Sequence, residues 1–71
     1  MRNRLEEIRK LKGMKQEDLA DLLGVSRQTI SSLENGKYNP SIRLAFKIAR
    51  VFSMTIEMIF IYEEDINGKE S

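Results

Sequence analysis

Two apolar, helix-spaced runs meet across only three residues, Leu23-Gly24-Val25, and Ser26 follows at once. Such a short link holds the second helix at a steep angle to the first and leaves little freedom in their crossing. Gly24 stops the first run, because glycine tolerates the left-handed backbone that closes a helix. Ser26 starts the second, because its hydroxyl can accept a first-turn amide. A helix is therefore expected from about Lys15 to Leu23, with Leu19, Ala20, Leu22 and Leu23 as its apolar side. The next should run from about Ser26 to Glu34 or Asn35.

Around this pair the pattern stays helical. Leu5 and Ile8 form one stripe, flanked by Arg9, Leu11 and Lys12, and Gly13 can close a helix begun near Asn3. Asn35-Gly36 and Asn39-Pro40 are turn signals. Ser41 can cap a fourth helix carrying Ile42, Ala45, Ile48, Ala49 and Phe52, and Thr55 a short fifth one through Ile59. Phe60-Ile61-Tyr62 is β-prone and apolar. It can pair with Met1-Arg2-Asn3 or with a second copy of the chain. The fold class is mainly α: five helices in one domain over residues 1–62, with a terminal strand pairing of 1–3 with 60–63. Residues 63–71 form a frayed acidic tail.

A chain of 71 residues holds one small domain. With no cysteine and no histidine, disulfides, thiolate metal sites and the commonest general base are excluded. No cofactor and no metal are expected. The acidic pairs are adjacent in sequence and diverge on a helix, so no catalytic residue is assigned. No apolar run is long enough to span a membrane, and the N-terminus carries no apolar signal region, so a cytoplasmic protein is expected. Net charge is +1, but residues 1–50 carry eleven Lys/Arg against six Asp/Glu, and residues 51–71 one lysine against five acids. A basic body with an acidic end suits a chain that touches a polyanion with one part.

The third helix reveals where. At 100° per residue, Ile30 and Leu33 define the inward direction. Gln28 and Asn35 then fall nearly opposite, Ser31 and Ser32 lie within about 50° of that outer line, and Arg27 sits to one side. The outer face lacks the Glu/Lys pairs of a merely solvated helix. It carries groups that match base edges: arginine pairs with guanine O6 and N7, glutamine with adenine N6 and N7, and serine with either. Short side chains also let a helix enter a groove about 12 Å wide. The competing reading is a small bundle with a polar outer face.

The run "MKQEDLADLLGVSRQTISSLENGKYNPS" resembles the Cro/repressor-type helix-turn-helix domain of phage and bacterial regulators. The likeness spans about residues 4–60, with the motif at about 15–35 and the recognition helix at about 26–35. The resemblance implies a DNA-binding transcriptional regulator, most simply a repressor. It implies base reading by Arg27, Gln28 and Ser32, beside which Ser31 lies on the same face. Backbone contacts would fall to Gln16, Ser26, Asn35, Lys37 and Tyr38, with Arg43 as a further cation. It also implies an ion pair between Arg9 and Glu34, and both lie at the inner flanks of their helices. Two positions depart from the family pattern. Ser32 is shorter than the amide often found there, so it reaches a base through water or not at all. Lys15 replaces the usual hydroxyl cap, at a cost of about 1 kcal/mol.

The end of the domain is unusually apolar. Met58, Phe60, Ile61 and Tyr62 are expected to form a two-fold dimer interface, and a two-fold protein reads a palindromic operator in double-stranded DNA. The alternative use of that segment is as a docking surface for a protein partner, as in an antitoxin-like module.

Overall fold

The computed structural model describes residues 2–61; Met1, Tyr62 and the acidic run 63–71 lie outside the described residues. Five helices, α1 (Leu5–Leu11), α2 (Gln16–Leu23), α3 (Arg27–Glu34), α4 (Ile42–Phe52) and α5 (Ile56–Ile59), are bracketed by two short strands, β1 (Arg2–Asn3) and β2 (Phe60–Ile61). The strands pair antiparallel, Arg2 opposite Ile61 and Asn3 opposite Phe60. Of the two expected partners for the terminal strand, the chain's own N-terminus takes the place. Arg4 extends the closure by donating its amide to the Ile59 carbonyl at 2.8 Å.

That pairing shortens the first helix. Asn3, expected in its first turn, is extended and serves two helices at once. Its Oδ1 accepts from the Leu5 amide at 3.0 Å, and its Nδ2 donates to the Leu33 carbonyl at 2.8 Å. One side chain thus satisfies a free donor at the start of α1 and adds a second bond to the Leu33 carbonyl near the end of α3, which also accepts the Gly36 amide.

Helix starts follow the sequence signals. Ser26, Ser41 and Thr55 each accept an amide three residues on, from Thr29, Leu44 and Met58. At α2 the lysine cannot accept, but Asp18 reaches back to the Lys15 amide at 2.9 Å, so half of a capping box survives. This return bond offsets part of the expected cost of Lys15.

The helix ends share one device. In α1, α2, α3 and α4 the closing residue is left-handed, at Gly13, Gly24, Gly36 and Ser53. Its amide and the next one return to carbonyls of the last turn: Met14 to Arg9, Val25 to Ala20, Lys37 to Ser32 and Met54 to Ala49. This is the paired pattern that leaves the fewest free carbonyls at a helix end. A Cβ on Gly24 would meet nothing within 4 Å, so glycine is needed there for φ +73° and not for space. Ser53 adopts φ 54° with its side chain in place.

The core is a single cluster. Leu5, Leu19, Leu23, Ile30, Leu33, Ile48 and Ile59 are fully buried, one or two from each helix. Each contributes about 1.5–3 kcal/mol by leaving water. Two residues expected on apolar helix sides, and the flanking Leu11, stay outside it. Leu22 and Ile42 point to solvent at 60 % and 77 % exposure, as does Leu11. Leu22 lies one step past the Leu19–Leu23 line, and Ile42 opens α4 before that helix reaches the core. Phe60 is corrected in the other direction: it is 7 % exposed and belongs to this chain's own core, so only its edge is available to another molecule.

Candidate nucleic-acid interface

The turn between α2 and α3 is held from both sides. Gly24 and Val25 close α2, and Ser26 opens α3. Lys47 on α4 reaches the Leu23 carbonyl with its ammonium at 2.9 Å, a cation at a helix C-terminus where the carbonyl dipoles favour it. Sequence reasoning missed this role of Lys47, because nothing in a linear pattern announces a contact 24 residues away.

At the ends of the two helices away from the turn, where α2 begins and α3 finishes, lies a buried polar cluster. Arg9 Nε and Nη2 donate to the two Glu34 carboxylate oxygens at 2.6 and 3.2 Å. The two side chains are 8 % and 4 % exposed. Arg9 Nη1 also donates to the Met14 carbonyl at 2.7 Å, and Gln16 Nε2 to Glu34 Oε1 at 3.0 Å. Hydrogen bonding to Glu34 lifts the Arg9 guanidinium above its usual range, against the opposing effect of burial. The cluster links α1, the loop after it, the first turn of α2 and the end of α3. It therefore sets the angle at which α3 leaves the body.

On the outer side of α3, Arg27 and Gln28 are exposed, and Ser31 and Ser32 are half-buried. Ser26, Gln28, Thr29, Ser32 and Tyr38 line an open concavity of about 330 Å³. Arg27 and Ser31 stand outside it. No sequence signal marks Thr29: it lies between the inner and outer lines of the helix, and only the packed loop through Tyr38 turns it into part of the surface. Its hydroxyl bonds to Ser26 Oγ at 2.9 Å, and Ser26 Oγ also accepts the Thr29 amide. Ser26 is thus engaged first as a cap.

The loop after α3 is ordered by its own bonds. Asn35 Oδ1 accepts the Lys37 amide at 3.0 Å, and the Ser32 carbonyl accepts from both Lys37 and Tyr38. Asn35, Lys37, Tyr38 and Arg43 are all exposed. Arg27, Lys37 and Arg43 form no ion pair among the described residues. The surface presents cations and short polar groups, with no carboxylate on its outer line.

A model of the helix-turn-helix family, HTH_3, matches residues 5–59 of this chain. The chain belongs to the Cro/repressor-type helix-turn-helix family of transcriptional regulators. This is a family of DNA-binding regulators and not of enzymes. An uncharacterized HTH-type transcriptional regulator of Methanocaldococcus jannaschii is 60 % identical over 65 residues, covering 92 % of this chain and 98 % of the relative. Another, from Archaeoglobus fulgidus, is 57 % identical over 70 residues, covering 97 % and 100 %. Among solved structures, the restriction-modification controller protein C.AhdI of Aeromonas hydrophila superposes with a TM-score of 0.73 at 35 % identity, covering 80 % of this chain and 86 % of that one. Among the described residues no helix is long and apolar enough to cross a membrane.

Proposed function

We propose that this regulator binds a specific double-stranded DNA site by laying α3 in the major groove, and that it acts as a repressor by occupying that site. The observation that carries the reading is Gln28. It stands exposed on the outer line in the first turn of α3, where it lines the concavity together with the short side chains of Ser26, Thr29 and Ser32. A bidentate amide flanked by short residues is what approach to an adenine edge requires. Arg27 reads a guanine from the side of the helix, and Ser31 and Ser32 add single bonds, Ser32 through water where it falls short.

The backbone is held at both ends of the motif. Gln16 spends one amide hydrogen on Glu34 and keeps the other for a phosphate oxygen. Ser26, Asn35, Lys37, Tyr38 and Arg43 surround α3 with donors and positive charge. Such contacts fix register and supply most of the salt-dependent affinity, while α3 supplies the sequence preference. The chain binds as a two-fold dimer, so its operator is a palindrome with half-sites about one turn (~34 Å) apart.

Selection of bound sequences from a random DNA pool tests this. The wild-type chain should enrich a palindrome. Gln28→Ala should relax one base position in each half-site and weaken binding there by about 1–3 kcal/mol. An unchanged preference in Gln28→Ala would remove Gln28 from the reading face. Enrichment of nothing by the wild-type chain would refute sequence-specific binding altogether.

A further inference from the structure

Arg27, Lys37 and Arg43 are exposed around α3, yet one part of this surface carries no charge. Ser26, Gln28, Thr29, Ser32 and Tyr38 line the concavity of about 330 Å³ between α3 and the loop after it, and all five are uncharged. At 100° per residue, Thr29 and Ser32 lie on one flank of Gln28, and Arg27 and Ser31 on the other. The hydroxyls at the helix end of the concavity are engaged with each other. Ser26 Oγ accepts the Thr29 amide at 3.1 Å and shares a hydrogen with Thr29 Oγ1 at 2.9 Å. The wall on the loop side is the Tyr38 ring, 45 % exposed. Such a ring offers chiefly carbon surface. Ser32 keeps the space open, because a longer side chain on that flank would fill it.

Base pairs present donors, acceptors and one apolar group in the major groove, and that group is the 5-methyl of thymine. Gln28 brings it to the concavity. An adenine read through N6 and N7 is paired with a thymine, whose methyl lies on the same groove edge, beyond N6. The two flanks of Gln28 offer it different surroundings. One holds the Arg27 guanidinium, which needs an acceptor and gains nothing from a methyl. The other holds the uncharged concavity. We infer that the concavity seats the 5-methyl group of the thymine paired with the adenine that Gln28 reads. Tyr38 and Ser32 then determine specificity, the first by closing the seat with its ring and the second by being short enough to leave it open. The inference rests on the reading of adenine by Gln28 and extends it, so that one base pair is read on both strands.

Modified operators test this at the pair where Gln28→Ala relaxes the selected sequence. Deoxyuridine in place of the thymine deletes the methyl and keeps every hydrogen bond of the pair. Wild type should bind the substituted operator about fourfold more weakly for each thymine replaced, the effect of one buried methyl group. Tyr38→Ala, which removes the wall, and Ser32→Gln, which fills the seat, should bind the two operators about equally. Tyr38→Phe keeps the ring and should keep the fourfold ratio. A lost phosphate contact or a loss of stability weakens both operators alike and does not move this ratio. At the same pair, 7-deazaadenine removes N7 and leaves the methyl in place. It should weaken wild type and leave Gln28→Ala unaffected, so it reports on the adenine reading alone. Loss with 7-deazaadenine but not with uracil would overturn the methyl seat and leave Gln28 in its role. Loss with uracil but not with 7-deazaadenine would support the seat and refute the adenine reading. A fourfold ratio that survives in both Tyr38→Ala and Ser32→Gln would overturn the placement of the methyl in this concavity. Selection of no operator by wild type, or of one in which Gln28→Ala relaxes no position, would overturn both.

Discussion

Replacing Glu34 by alanine strands the Arg9 guanidinium. Arg9 is 8 % exposed at the side chain and gives three of its donors to Glu34 and Met14. After the change it keeps its charge, because its pKa lies far above neutrality and the Glu34 bond only raises it. One neutral carbonyl then remains as its partner. Removing one member of a buried pair costs about 3–5 kcal/mol. A domain of 71 residues has a total stability of about 4–10 kcal/mol, so the variant should sit near the edge of unfolding. The melting temperature should fall by at least about 12 °C, at about 4–8 °C per kcal/mol for a domain of this size. Arg9→Met should behave similarly, since the Glu34 carboxylate keeps only the Gln16 amide. The double variant Arg9→Met/Glu34→Leu removes both charges and should recover to within about 1 kcal/mol of wild type, because a buried pair and an apolar pair of similar size are often equivalent. Urea and thermal unfolding followed by far-UV circular dichroism, on wild type, Arg9→Met, Glu34→Leu and the double variant under identical conditions, give the coupling energy directly. Single variants that each lose less than about 1 kcal/mol, with an additive double, would mean that the pair is exposed in solution and that the angle of α3 is set by packing alone.

The shared helix endings give a paired test. Gly24→Ala places a Cβ on a left-handed residue and should lose about 1–2 kcal/mol, whereas Ser53→Gly relieves the same strain at φ 54° and should gain about 0.5–1 kcal/mol after its extra unfolded-state entropy; opposite shifts in urea midpoint check both, and shifts of the same sign contradict the account. For the DNA backbone, Lys37→Ala should weaken all sequences about equally and reduce the slope of log affinity against log salt by about 1; a change in sequence preference on titrating wild type and variant across salt would place Lys37 at a base instead. Asn3→Ala removes one acceptor and one donor that serve two helix ends, and should cost about 1–2 kcal/mol in thermal melts; a melt unchanged from wild type would show that water replaces both bonds.

Local signals were legible where the physics is local. Ser26, Ser41 and Thr55 cap the helices that follow because a hydroxyl reaches an amide three residues away whatever the rest of the chain does. Gly13, Gly24 and Gly36 close helices for the equally local reason that they lack a Cβ. The outward line through Gln28 and Asn35 follows from two inward residues and the helix period. These features carry the motif, and with it the family.

Tertiary structure decided what depends on residues distant in sequence. Period alone placed Leu22 and Ile42 with the apolar sides, but whether a flank is covered depends on which helix lies against it, and none does. Asn3 was open to both the first turn of α1 and the terminal strand, and the pairing with β2 settled it as strand, with the Leu33 carbonyl taking its side-chain amide. Lys47 at the end of α2 and Thr29 in the recognition concavity acquire their places only when α4 and the loop through Tyr38 pack. The sharpest division falls at the apolar end of the domain. Its composition announced a surplus of apolar groups, but only the fold sorts them. Ile59 and Phe60 close the core, while Met58 stands open to solvent, because a four-residue helix can turn only one side inward.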